Sequence, residues 1–289
     1  MENSNLIPEL TYKEARGVYS KILETYPFLT SGEKQSFISQ TSQLITDENA
    51  FIGNGIAFIS SILKCLDNPH ANVQLVRGNI KNGNKDDFYE YNIQDQVLYL
   101  RIKRWSAANK EESILQGEKL IKLCQNNLDS YDKTVIDVRG NTGGNSFGAE
   151  AFAGIFFDKD FVTSHIIRVK NGELERKPRT LNHNPTVFID VPIVILIDGS
   201  CFSSTELFLI PFKISKRATL IGQDTRGGSA NPLSLNYISG NSKIIIKIPT
   251  WRLFLEGRDE PIEITKIKPD VYYDKEDIVK YAREFKLQL

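Results

Sequence analysis

Pro192-Ile193-Val194-Ile195-Leu196-Ile197 runs directly into Asp198-Gly199-Ser200-Cys201-Phe202-Ser203-Ser204-Thr205-Glu206-Leu207. The first stretch is apolar without alternation and rich in β-branched residues. That pattern belongs to a strand covered on both faces, as in a parallel sheet. The Asp-Gly turn then breaks the run, and helix-compatible residues follow from Ser204. The segment reads as strand, sharp corner, helix. Pro211 lies within or just after that helix, where it would kink or end it.

The same grammar recurs on either side. Thr134 to Val138 is a short apolar run entering Arg139-Gly140-Asn141-Thr142-Gly143-Gly144-Asn145, with a helix predicted from Phe147 to Phe157. Thr219 to Ile221 reads as a third strand. Upstream, Val97 to Ile102 is strand-like, and Glu111 to Leu128 is an amphipathic helix with Ile114, Leu115, Leu120, Ile121 and Leu123 apolar. Strands alternating with helices imply βαβ units and an α/β fold. Asn171 to Pro185 is polar and turn-rich and reads as a surface loop; Lys243 to Ile248 reads as a strand and Glu276 to Leu289 as a terminal helix. From Leu10 to Leu66 the texture is instead helical, with Tyr12, Ala15, Val18, Tyr19 and Ile22 at three- and four-residue steps, a helix start near Ser31 and Glu33, and a third helix from Asn54. Asp67-Asn68-Pro69 is a stop signal. The expected organisation is a helical domain over 1–72 and an α/β core over 73–289.

Composition narrows the function classes. With 36 acidic and 36 basic residues in 289, the chain offers no electrostatic case for nucleic acid or an anionic membrane surface. No run reaches the roughly 18 apolar residues a membrane span needs. The segment MENSNLIPEL lacks a basic start and an apolar run, so the expected location is cytoplasmic. Cys65, Cys124 and Cys201 are too scattered for a disulfide framework or a zinc site. No metal and no organic cofactor are expected.

Four segments carry residues suited to chemistry. The glycine turn at Gly143-Gly144 lets backbone approach a ligand closely and can aim N–H groups at a developing oxyanion; equally it is a tight strand-to-helix turn. Ser203 stands at a strand–helix corner where a hydroxyl would project from the sheet end, yet Ser203 to Glu206 is also capping-box spacing, and capping is the commoner use of such a serine. His70 follows a helix end, in a turn; His165 and His183 are the other two histidines, so a histidine base must be one of these three. Glu263 lies among apolar neighbours just before Pro269-Asp270.

Taken in order, these segments resemble the tail-specific (C-terminal-processing) serine protease superfamily. Asp137-Val138-Arg139-Gly140-Asn141-Thr142-Gly143-Gly144 is similar to its glycine-rich oxyanion segment, and Asp198-Gly199 followed by Ser203 and Glu206 to its nucleophile turn. Leu220 to Gly228 is similar to the strand and loop that follow. Asp67 to His70, and Glu263 to Asp270, resemble the histidine and glutamate segments of the tricorn-like Ser/His/Glu branch. Where Ser/Lys relatives carry their lysine, this chain has Gly228. About 26 residues separate His70 from Val97, too few for the PDZ domain of those relatives, which needs roughly 80 to 100. Pro69 replaces the serine that precedes the histidine in the tricorn-like pattern.

The resemblance implies a crotonase-like (ClpP/crotonase) core preceded by a helical domain. It implies a serine endopeptidase with Ser203 as nucleophile, His70 as general base and Glu263 as orienting acid. Ser204 with Gly143 or Gly144 would form the oxyanion hole. Arg226, Gly227 and Gly228 would meet an extended peptide substrate, with Arg226 to Leu233 offering a strand edge for pairing; an ordinary hairpin loop is the equal alternative. A homo-oligomer is left open. The competing readings are a non-proteolytic hydrophobic-ligand-binding module, a CoA-using crotonase-type enzyme, and an inactive peptidase homologue of the same fold.

Overall fold

The computed structural model describes residues 10–46, 51, 55–77, 88–228, 230–239 and 242–286. The segment read for a leader, up to Glu9, the expected helix start at Asn54, and the last three residues of the expected terminal helix lie outside these. In chain order the elements are α1 (Tyr12–Thr25), α2 (Ser31–Thr46), α3 (Gly55–Lys64), β1 (Asn72–Arg77), β2 (Tyr89–Gln94), β3 (Val97–Ile102), α4 (Lys110–Asn126), β4 (Lys133–Asp137), α5 (Ser146–Ala153), β5 (Phe161–Lys170), β6 (Glu173–Leu181), β7 (Ile193–Ile197), α6 (Ser204–Ser215), β8 (Thr219–Gly222), β9 (Leu233–Ser239), β10 (Ser242–Ile248), β11 (Trp251–Leu255), α7 (Ile262–Thr265), β12 (Val271–Tyr272) and α8 (Ile278–Glu284).

The chain forms two compact units, each discontinuous in sequence. The first comprises Met1–Asn82, Ile166–Lys177 and Ala230–Arg252; the second comprises Gly83–His165, Pro178–Ser229 and Leu253–Leu289. In the first, helices α1 to α3 share a core with a sheet ordered β1-β10-β9. Ala15, Val18 and Ile22 recur at helical steps on the buried side of α1, and Phe58, Ile59, Ile62 and Leu63 do the same on α3. Strand β10 alternates strictly: Ile244, Ile246 and Ile248 are buried and the residues between are not. These two periods, near 3.6 and 2, let helices and sheet cover one another. Thr11 closes α1 with a capping box, accepting from Glu14 N–H while Glu14 accepts from Thr11 N–H.

The second unit is built on a six-stranded sheet ordered β12-β8-β7-β4-β3-β2. Strands β3, β4, β7, β8 and β12 are parallel neighbours, and β2 closes one edge antiparallel to β3. All five residues of β7 are buried, which is why its sequence shows no alternation. On one face Val97, Tyr99, Val135, Val194, Leu196 and Ile221 pack against Ile278 and Ala282 of α8. Lys133, at the start of β4, donates to the carbonyls of Ala282, Arg283 and Phe285 and so closes that helix end. Helices α5 and α6 meet through rings: Phe152 stacks on Phe208 with centroids 6.0 Å apart, and Trp105 tilts onto Phe208 at 5.8 Å. The register pairs Val135 with Val194 and Asp137 with Leu196, so the carboxyl ends of β4 and β7 lie side by side. Crevices at that end of a parallel sheet are where such folds bind ligands.

A third sheet has the order β11-β5-β6. Its strand β6 corrects the expectation of a surface loop over Asn171 to Pro185. Most of β6 is exposed, so it carries no buried alternation to betray it. Pro211 lies inside α6, which continues to Ser215.

Candidate active site

The corner after β7 is made by backbone strain. Ser203 sits at φ 58°, ψ −118°, a region that costs a residue with a side chain about 1–3 kcal/mol. Its surroundings impose that geometry. The Ser203 N–H donates to the Gly228 carbonyl at 3.0 Å and to the Glu206 carboxylate at 3.1 Å, and the Ser203 carbonyl accepts from Glu206 and Leu207 N–H at 2.9 and 3.1 Å. The capping-box spacing is therefore used in a particular way. Glu206 returns to the serine backbone, and its own N–H is held by the Ser203 carbonyl at 2.9 Å, so the hydroxyl, although it faces that N–H as in a capping box, makes no capping hydrogen bond. Ser203 is partly exposed, while Phe202 before it and Ser204 to Phe212 after it are buried.

The glycine turn after β4 is fastened to this corner. Phe202 N–H donates to the Asn141 carbonyl at 3.2 Å, Gly140 N–H to the Asp198 carboxylate at 3.1 Å, and Ser204 Oγ to the Gly144 carbonyl at 2.6 Å. A Cβ on Gly143 would meet the Phe202 carbonyl at 2.5 Å and Ser203 Cβ at 2.9 Å. At Gly144, φ is 139° and a Cβ would overlap the Trp105 carbonyl at 1.8 Å. Only glycine fits either place. Asn141, fully buried, organises the turn: its Oδ1 accepts the Gly143 N–H at 2.9 Å and its Nδ2 donates to the Ile102 carbonyl at 3.0 Å. The Gly143 N–H is thus committed within the protein. Those of Gly144 and Ser204 have no partner among the described residues. Ser204 also opens a twelve-residue helix, whose N-terminus favours negative charge.

Asp137 and Arg139 brace the base of the turn. The fully buried Asp137 carboxylate accepts from Tyr99 Oη at 2.8 Å and from Arg139 Nη2 at 2.6 Å. Burial, then the Asp137 charge, pushes the Tyr99 hydroxyl up to about 12, so it stays a donor.

In the sequence Glu206 stands as a capping residue and as part of the turn that resembles the nucleophile segment. It is fully buried and joins three segments: besides Ser203 N–H, it accepts from Thr225 Oγ1 at 2.6 Å and Gly227 N–H at 3.0 Å. Burial pushes its carboxyl up to about 8, against hydrogen bonds from Thr225, Ser203, Gly227 and Gly228 that favour the anion. Thr225 Oγ1 in turn accepts the Ile267 N–H at 3.0 Å.

Arg226 donates its N–H to the Cys201 carbonyl at 3.0 Å, and its exposed guanidinium lies over the Phe202 ring, 4.9 Å from the centroid. Residues 226–228 and 230–232 belong to no strand; β9 begins at Leu233. Of the expected edge from Arg226 to Leu233, residues 226–228 and 230–232 are therefore loop. The cause is that the N–H groups of Arg226 and Gly227 turn inward, to Cys201 and Glu206, and Pro232 has none.

Glu263 lies in α7, which abuts this loop: a Cβ on Gly227 would stand 3.2 Å from the Glu263 carbonyl. The second unit thus brings together Ser203, Ser204, Gly143, Gly144, Arg226, Gly227, Gly228 and the helix of Glu263. His70 belongs to the first unit. It is buried in the turn after α3, with its N–H held by Asn68 Oδ1 at 3.0 Å and its carbonyl accepting from Asn72 Nδ2 at 3.1 Å. His165 faces Glu256 at 2.9 Å and His183 faces Asp160 at 2.6 Å, each a carboxylate of its own.

Comparison with known proteins adds independent findings. The model of peptidase family S41 matches residues 96–273. A protein of Staphylococcus haemolyticus named as a probable CtpA-like serine protease is 26% identical over 138 residues, covering 48% of this chain and 26% of that protein. The chain spans only 26–32% of the length of the curated relatives it matches. Among solved structures, a lipoprotein from Streptococcus agalactiae matches with TM-score 0.67 at 16% identity, covering 96% of each chain. Mature CPAF, in complex with lactacystin, matches with TM-score 0.52 at 15% identity, covering 64% of this chain and 49% of that one. At such identities the two structures speak for the fold.

Proposed function

This chain belongs to peptidase family S41, and on that footing we propose that it is a serine endopeptidase acting through an acyl-enzyme on Ser203. The second unit is read as a crotonase-like core, and the helical segment before it as the domain that supplies the base. The observation that carries the reading is Ser203 itself: a strained, partly exposed serine whose hydroxyl is released from capping, beside two uncommitted N–H groups.

In this mechanism Ser203 Oγ attacks a peptide carbonyl. His70 takes the proton and returns it to the leaving amine, contributing roughly 100- to 10,000-fold. Glu263 fixes the imidazole tautomer and stabilises its cation. The carbonyl oxygen, as it becomes an oxyanion, is received by Ser204 N–H and Gly144 N–H; one such donor is typically worth about 3–4 kcal/mol. Gly143 has a different part, because its N–H is spent on Asn141: it lets the turn reach the serine. Water then hydrolyses the acyl-enzyme, and no metal or organic cofactor is invoked. The substrate is an extended peptide.

Hydrolysis of an unfolded protein substrate tests the assignment. Ser203→Ala and His70→Ala should each abolish it while circular dichroism stays native. Cleavage surviving in His70→Ala would mean another base, and cleavage surviving in Ser203→Ala another nucleophile.

A further inference from the structure

We infer that Arg226 selects substrates carrying an acidic side chain next to the scissile bond. The inference rests on the peptidase reading of Ser203 and adds to it the chemical class of the substrate.

Arg226 differs from the arginines that brace this unit. Arg139 is paired with Asp137, and Arg217 is bonded to the carbonyls of Phe156, Ile189 and Val191. Arg226 has no carboxylate partner among the described residues; Asp224, two positions away, accepts instead from the Tyr272 hydroxyl. Its guanidinium rests on the ring of Phe202, the residue immediately before the nucleophile. A guanidinium resting over a ring makes no hydrogen bond to it, and its N–H edge matches a carboxylate with two parallel hydrogen bonds. The backbone beneath it is fixed, because Arg226 N–H is held by Cys201 and Gly227 N–H by the buried Glu206. A cation positioned in advance loses less freedom on binding than a mobile one. The N-terminus of α6 adds positive potential at the same place. A glutamate or aspartate flanking the cleaved bond would be drawn to this edge, and a lysine there repelled.

The test uses N-acetylated, C-terminally amidated fluorogenic peptides, identical except for Glu, Gln or Lys at each position flanking the cleaved bond. A phosphonate that labels the catalytic serine is run on the same samples. At one of those positions the intact protein should cleave the Glu peptide roughly tenfold faster in kcat/KM than the Gln peptide, less so as salt rises. Arg226→Gln should bring that ratio close to one, and Arg226→Glu should reverse it toward Lys. Labelling with no Glu preference, or a preference unchanged in Arg226→Gln, overturns the inference alone. A preference that appears only when the C-terminus is left free overturns it in favour of terminal-carboxylate recognition. Absence of both labelling and cleavage overturns the peptidase reading, and this inference with it.

Discussion

Two neighbouring parallel strands, β4 and β7, each end in a turn and a helix, and the two corners are capped in opposite ways. Ahead of α5, Asn145 has an ordinary extended backbone, φ −89° and ψ 126°, and its side chain caps the helix by accepting from Phe147 N–H. Ahead of α6, Ser203 has a strained backbone, and its hydroxyl caps nothing. The first corner spends its side chain on stability. The second gives up that contribution, accepts strain, and recruits a buried carboxyl group, that of Glu206, to hold the backbone instead. A serine at a helix start is the commonest of caps; what marks this one is that the cap has been taken away from it.

The contrast predicts opposite responses to the same substitution. Ser203→Ala should cost roughly a thousandfold or more in peptide hydrolysis and leave the melting temperature nearly unchanged, since no cap is lost. Were it to melt like a cap mutant and keep activity, the two corners would be alike after all.

Glu206 gives the next largest effect. Its carboxyl is raised from an ordinary 4.5 to about 8 in the folded protein, so between those values the folded state holds a proton that the unfolded state has lost. The stability this lends is full below about pH 4.5 and is lost as pH rises through about 8, by an amount on the order of a few kcal/mol. Glu206→Gln should flatten that part of the curve of stability against pH, read by urea unfolding at several pH values. An unchanged slope would mean that Glu206 does not titrate there.

Gly143→Ala should destabilise by on the order of 2 kcal/mol and impair hydrolysis as well, because the added methyl would press on the Phe202 carbonyl and Ser203 Cβ. Loss of stability with intact catalysis would show that the two turns need not touch. Smallest, Asn145→Ala should cost about 1 kcal/mol in chemical denaturation and leave hydrolysis nearly intact.

Local geometry was the legible part of this molecule. The corners at Asn145 and Ser203 can be read because a buried strand, a glycine or Asp-Gly turn and a helix start are adjacent in sequence. Strand β6 leaves no strand signal in the sequence because its exposed faces carry no period. The signal that would have found it was Asn171-Gly172, both at positive φ, a two-residue hairpin turn between β5 and β6. That Ile244, Ile246 and Ile248 of β10 complete the core of α1 to α3 could not be read from residues on the order of two hundred positions away. Nor could the division of labour within Gly143-Gly144, which depends on where the Asn141 side chain points. Glu206 was legible as a spacing and illegible as a tie, because Thr225 and Gly227 reach it only once the chain has folded.

The most direct measurement is peptide mapping by mass spectrometry of the native protein after treatment with a serine-directed phosphonate. The account predicts one adduct, on Ser203, with Ser204 unmodified because its hydroxyl is held by the Gly144 carbonyl. An adduct on Ser204 or on any other serine, with Ser203 left untouched, would contradict it.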